Sequence, residues 1–172
     1  MLIRFLRLPL TGLMSAGALL WLGADITQAA SVVHGAWSVD CKYHSDTNKT
    51  SCVASQKVAT DPLGKKVVLG VIVEPVEDAA RSRIMFRMSK KAYKPAGIGI
   101  KIDDRPPSRL KINACDENIC EARGWLTEEL LGQMRGGRLM RFAFFVDPTN
   151  QITYPVSLNG FDSAFKVLRR TD

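Results

Sequence analysis

The sequence predicts an all-β domain, an antiparallel β-sandwich with one or two short helices. Three observations carry that expectation. Apolar residues recur with a period of two along one run after another, as strands with a single buried face require. Turn-forming clusters separate the runs at short intervals. Four cysteines, Cys41, Cys52, Cys115 and Cys120, bracket polar segments in a way that suits stapled hairpin tips.

The first 30 of the 172 residues stand apart. Arg4 and Arg7 precede an apolar stretch from Leu10 to Ala24, and small residues close it at Thr27, Ala29 and Ala30. That order is the signature of a secretory signal peptide, so residues 1–30 are expected to be cleaved and 31–172 to form one domain. The apolar stretch, about 15 residues, is shorter than the roughly 20 needed to span a bilayer as a helix. No transmembrane span is therefore expected after processing. The whole chain carries 24 basic and 17 acidic residues; loss of Arg4, Arg7 and Asp25 leaves a net charge of about +6.

In an exported chain an even cysteine count favours disulfides, and local closure, Cys41 with Cys52 and Cys115 with Cys120, is the expected pairing. His44 to Lys49 lies inside the first loop and Asp116 to Ile119 inside the second. Short loops stabilise modestly, roughly 2 to 3 kcal/mol per bridge on the chain-entropy estimate.

The elements follow in order. Ala36 to Lys42 places Trp37, Val39 and Cys41 on one face, and Cys52 to Val58 returns after the polar tip. Val67 to Val73 is an almost unbroken apolar run, which predicts a central strand buried on both sides. Arg81 to Met88 alternates again, with Ser82, Ile84, Phe86 and Met88 opposite Arg81, Arg83 and Arg87. Ile98 to Ile102 and Leu110 to Ala114 are the next two strands. Thr127 is placed to cap a short helix that Gly136-Gly137 ends. Arg138 to Val146 and Gln151 to Leu158 form a last hairpin across Asp147-Pro148-Thr149-Asn150, and Phe161 to Leu168 suits a short terminal helix. That makes about eight strands, and unbroken central runs favour two layers over a barrel.

Several segments, in this order, resemble the invasion-associated locus B proteins of alphaproteobacteria. They are Trp37-Ser38-Val39-Asp40-Cys41, Cys52-Val53-Ala54-Ser55-Gln56, Ile100-Lys101-Ile102-Asp103, Cys115 through Cys120-Glu121-Ala122, and Tyr154-Pro155-Val156-Ser157-Leu158-Asn159-Gly160-Phe161. The resemblance implies an immunoglobulin-like β-sandwich that is periplasmic or secreted, with outer-membrane association. In pathogenic members it implies a link to host-cell entry, and it implies no established reaction. The density of arginine and lysine between Arg81 and Lys111 matches no feature of that family.

Candidate chemistry is sparse. His34, Cys41, His44 and Cys52 supply enough ligands for tetrahedral zinc, but an oxidising compartment favours the disulfide, so neither metal nor cofactor is expected. Asp103, Asp104, Glu117 and Glu121 could furnish a carboxylate pair for glycoside hydrolysis, but nothing in their spacing demands it and charged turn residues are the ordinary explanation. No Gly-x-Ser-x-Gly elbow occurs. Catalysis is not expected. Gln56 and Ser157 must be hydrogen-bonded if buried. Trp37 is assigned to the core, Trp125 to anchoring the short helix, and Phe161, after Gly160, to plugging one end.

Arg81, Arg83, Arg87, Arg109 and Lys111 would make a positive face if their strands pair, suited to anionic lipid, lipopolysaccharide or an acidic protein. Nucleic acid is not an expected partner, because no binding motif or aromatic interleaving supports it. The leading expectation is an accessory or adhesive envelope protein that binds a macromolecule. The alternative is a small-ligand or lipid module using the space between the sheets or the mouth near Trp37 and Phe161; a hydrolase is third. A filled sandwich favours the first and a deep apolar pocket the second.

Overall fold

The computed structural model describes residues 31–76 and 79–169, with only the backbone at 79 and 80; the expected leader lies outside the described residues. The strands are β1 (Ser31–His34), β2 (Trp37–His44), β3 (Lys49–Ala59), β4 (Val67–Val76), β5 (Ala79–Ser89), β6 (Ile98–Ile102), β7 (Ser108–Leu110), β8 (Ile112–Cys115), β9 (Ile119–Leu126), β10 (Leu139–Phe145) and β11 (Gln151–Ser157). Two α-helices, α1 (Glu128–Gly136) and α2 (Phe161–Leu168), and a single 3-10 turn at Lys94–Ala96 complete the set among the described residues.

One sheet has the order β1-β2-β3-β4-β5-β9-β8 and the other β11-β10-β6-β7, with every pairing antiparallel. The expected sandwich is therefore present. It is immunoglobulin-like in its two facing antiparallel sheets, with a connectivity of its own: a five-strand meander extended by β9 and β8.

Alternation decides which side chains meet between the sheets. Leu69, Val71 and Val73 of β4, Ile84 and Phe86 of β5, and Ile100, Phe142 and Phe144 from the second sheet are all buried. Phe86 and Phe142 stack across the gap with ring centroids 5.1 Å apart. The rest of the larger sheet is covered by α2, which packs on β1 to β4. There Trp37 meets Phe161 edge to face at 4.9 Å, and both are wholly buried, as their core and plug assignments require. Thr127 caps α1 by accepting a hydrogen bond from the Leu130 N–H at 3.2 Å, and Leu131 and Met134 turn inward.

Four features depart from the sequence expectations. Val68, Gly70 and Ile72 are only half-buried, so β4 is buried on one side; among the described residues no second layer covers the outward face of the larger sheet. The expected strand Leu110 to Ala114 divides at Lys111. Its first part pairs with β6 and its second with β9, so the chain passes from one sheet to the other. β9 itself was not anticipated, because its inward positions hold the small residues Cys120, Ala122 and Gly124, which give little apolar signal. Gly124 is small because Leu110 lies against it: a Cβ there would sit 2.6 Å from Leu110 Cδ2. Finally, β1 precedes the first expected strand.

Candidate binding surfaces

The disulfides join Cys41 to Cys52 and Cys115 to Cys120, each pair opposite one another in adjacent strands. Their sulfurs are thereby removed from nucleophilic or metal chemistry. His44 Nε2 lies 2.7 Å from Ser51 Oγ, while His34 is half-buried at the β1–β2 turn. Among the described residues no group of three or more His, Cys, Asp or Glu side chains is placed to hold a metal ion.

The carboxylates that spacing suggested for hydrolysis are dispersed and engaged. Asp103, at φ 46°, accepts hydrogen bonds from the N–H groups of Arg138 and Leu139, both at 3.1 Å. Those bonds, with the charges of Arg138 and Arg105, hold its carboxyl below the ordinary value. Glu121 projects from β9 between Arg123 and Arg87, with Arg87 Nε 2.8 Å from Oε1. The Arg123 hydrogen bond, followed by that from Arg87, lowers its pKa against a burial effect of opposite sign. Asp104 and Glu117 are exposed.

The anticipated cations do not gather on one face. Arg81, Arg83 and Arg87 lie on β5, but Arg83 is 3.5 Å from Glu74 and Arg87 is paired with Glu121. Register produces both pairs, since Glu74 is the cross-strand neighbour of Arg83 and Glu121 that of Arg87. Arg109 sits in the other sheet opposite Gly99, and Lys111 is the residue at which the chain changes sheets. Trp125, expected to anchor α1, is 45% exposed. The guanidinium carbons of Arg81 and Arg83 lie 4.4 and 5.8 Å from its ring centre.

A depression of about 680 Å³ wraps the end of the sandwich where β3, β5 and β10 finish and β4 and β9 begin. The inward residues beside it, Leu69 and Val71 at 0% exposure and Phe144 at 1%, admit no water. Its open volume therefore lies over outward side chains such as Val53, Val68 and Ile72, and at the rim near Ile152 and Tyr154. Lys57, Lys66 and Lys91 border it, and none has a carboxylate partner among the described residues. The β3–β4 turn adds exposed Leu63 and Lys65, and the β5–β6 loop adds Lys90, Tyr93 and Lys94. Asp61 fixes the first of these turns by accepting from the N–H groups of Leu63, Lys65 and Lys66, and those bonds, Lys66 foremost, lower its pKa. Sequence reasoning missed this surface because its lysines come from strand β3 and from two separate turns.

Comparison with known families places residues 37–169 within the model for the invasion associated locus B (IalB) protein. The chain belongs to the IalB family. A crystal structure of invasion associated protein B from Bartonella henselae is similar in fold, with a TM-score of 0.71 and 17% sequence identity. The alignment covers 83% of this chain and 96% of that one. No curated protein sequence matches the chain.

Three of the five segments that carry the IalB resemblance, those holding Trp37, Gln56 and Ser157, converge on a structural junction. Ser157 O accepts from Trp37 Nε1 at 3.0 Å and from Gln56 Nε2 at 2.8 Å, and Ser157 N donates back to Gln56 Oε1 at 3.0 Å. Gln56 is buried and its polar atoms are satisfied. The junction joins the larger sheet to β11, the open edge of the smaller one. Among the described residues no helix is long and apolar enough to cross a membrane.

Proposed function

We propose that this chain is an exported, non-catalytic envelope protein that acts by binding an anionic lipid surface through the lysine-bordered end of its sandwich. The observation that carries the reading is the pairing of half-exposed apolar side chains, Val53, Val68 and Ile72, with Lys57, Lys66 and Lys91 around one depression. Exposed Leu63 and Tyr93 flank it on two loops of the same end. Apolar patches rimmed by charge mark interaction sites, and each lysine near an anionic bilayer is worth about 1 kcal/mol at physiological salt. Arg81 adds to the positive field farther along the same sheet, Arg109 contributes from the other and Lys111 from the crossover between them, whereas Arg83 and Arg87 are offset by Glu74 and Glu121.

Two disulfides support an oxidising compartment, periplasmic or extracellular, to which the basic and apolar leader would direct the chain. The water-tight packing of Leu69, Val71 and Phe144 supports a surface binder over a carrier that holds its ligand between the sheets. Engagement of Asp103 and Glu121 by structural donors supports a non-catalytic role. Host-cell entry is the phenotype carried by the family's name, and adhesion to a charged membrane is a property such a phenotype would use.

The test is cosedimentation of the disulfide-bonded chain with vesicles of phosphatidylcholine alone and of phosphatidylcholine mixed with phosphatidylglycerol. Binding should require the anionic lipid, weaken steeply with salt, and be lost when Lys57, Lys66 and Lys91 are all changed to Glu. Equal binding to neutral vesicles, or full binding by the triple variant, overturns the reading.

A further inference from the structure

A second concavity lies at the opposite end of β5, about 23 Å from the lysine-bordered end if Ser82 to Ser89 spans seven strand residues. It has a volume of about 320 Å³, within the size range of small-molecule sites, and it is framed by the start of β5, the end of β9 and both helices. Arg81, Arg135, Lys166 and Arg169 line it, and Glu128 is the acid in its wall. Arg135 and Lys166 share Asp162, at 2.5 and 2.6 Å, while Arg81 rests on Trp125 and Arg169 has no carboxylate partner among the described residues. With Glu128 and Asp162 both counted against the four cations, positive charge remains in excess.

Ser82 adds an independent observation. It is 4% exposed, it lines the concavity, and its Oγ finds no hydrogen-bond partner within the described protein. Buried hydroxyls find a partner because leaving one unmet costs about 1 to 3 kcal/mol. On the inward face of β5 a serine also interrupts the series Ile84, Phe86, Met88, where an alanine would pack at no such cost. Leu126, Leu131 and Phe165 supply apolar walls.

We propose that this concavity binds a dianionic phosphate, free or as a monoester on an apolar substituent, and not the singly charged diester of a zwitterionic headgroup. Arg81 and Arg169, which have no carboxylate partner among the described residues, offer planar, forked donors matched to phosphate oxygens. The Ser82 hydroxyl donates to the same group from the floor, and the apolar walls take the substituent. The shared chemistry is the phosphate, and it can come from a lipid headgroup or from free phosphate.

The experiment titrates the disulfide-bonded full chain, by calorimetry, with inorganic phosphate, dihexanoyl phosphatidic acid and dihexanoyl phosphatidylcholine, the lipids below their micelle concentrations. Saturable binding of the phosphatidic acid, tighter than inorganic phosphate by about tenfold, assigns the site to a lipid phosphate; equal affinities assign it to free phosphate, and either result upholds the site. Ser82→Ala should lose about tenfold in affinity while its unfolding midpoint stays level or rises. The Arg81→Gln, Arg169→Gln pair should lose on the order of a hundredfold. No saturable binding of either phosphate, equal binding of the phosphatidylcholine, or unchanged affinity in both variants overturns the proposal. A lowered midpoint for Ser82→Ala does so as well, because it would show that the hydroxyl already has a partner in the fold. The lysine variants of the opposite end should leave this binding unchanged, which separates the two sites.

Discussion

Gln56 and Ser157 face each other as two strands would, with a side-chain amide taking the place of one backbone. The carboxamide donates to Ser157 O at 2.8 Å and accepts from Ser157 N at 3.0 Å. β11 is an edge strand, bonded to β10 on one side only, so its other side would otherwise present unpaired groups. A single glutamine from the facing sheet closes that edge at Ser157.

Replacing Gln56 with Leu keeps the volume and removes both bonds. The Ser157 N–H is then orphaned, and the chain should lose about 1 to 3 kcal/mol in urea unfolding. Trp37→Phe removes the second donor to the same oxygen. Each donor covers for the other at Ser157 O, so the double variant should cost more than the sum of the single ones. Simple additivity would show that the junction is not a coupled unit.

Gly160 and Gly64 test backbone strain against crowding. Both have positive φ, 84° and 68°, but a Cβ on Gly160 would lie 2.0 Å from His34 O whereas one on Gly64 meets nothing within 4 Å. Gly64→Ala should cost about 1 to 2 kcal/mol, the strain of a left-handed residue alone. Gly160→Ala must in addition push the β1–β2 turn away from Asn159, whose carbonyl accepts from Ala36 N at 3.0 Å. Its thermal midpoint should fall clearly further than that of Gly64→Ala, and equal losses would remove the clash from the account.

These junction residues were visible in the sequence as anomalies: a glutamine among apolar neighbours and a glycine before a phenylalanine. Strands with large inward side chains were equally legible, as in Trp37, Val39 and Cys41. Legibility failed where the inward residues are small, in β9, and where a strand leaves one sheet for the other, at Lys111. Alternation also shows which residues share a face without showing their partners across the strands. Arg83 and Arg87 therefore looked like free cations until register placed Glu74 and Glu121 opposite them. The lysines of the candidate surface lie from 57 to 94 in the chain, and only the shared end of the sandwich assembles them.

Loss of each disulfide should be graded by loop length. The chain-entropy estimate gives about 3 kcal/mol for Cys41–Cys52, separated by 11 residues, and about 2 kcal/mol for Cys115–Cys120, separated by 5. Paired Cys→Ser variants compared by urea unfolding check the order. A larger loss from the shorter loop would mean that native packing around buried Cys120, rather than restriction of the unfolded chain, dominates.

The acid response follows from carboxylates that are held ionised. Asp61, Asp103, Asp116 and Asp147 are lowered from an ordinary value of 3.8, chiefly by backbone N–H donors, and Asp162 by Lys166 and then Arg135. Glu121 is lowered from 4.5 by Arg123 and then Arg87. A depressed folded-state pKa means that the unfolded chain takes up protons first. Stability from these groups is thus fully present above the ordinary values and drains away as pH falls through the lower folded ones. Urea midpoints should be level from about pH 7 to pH 5 on this account and decline below about pH 4. Glu121→Gln offers the sharpest check, because it leaves Arg87 and Arg123 facing a neutral group. Both arginines are about half exposed, so water screens them and the loss at pH 7 should be about 0.5 to 1 kcal/mol. As pH falls through the depressed folded value the wild-type carboxyl takes up a proton as well, and the difference between the two proteins should narrow. A gap that stays undiminished down the whole acid series would mean that Glu121 stabilises the sheet by its shape and hydrogen bonds, not by its charge.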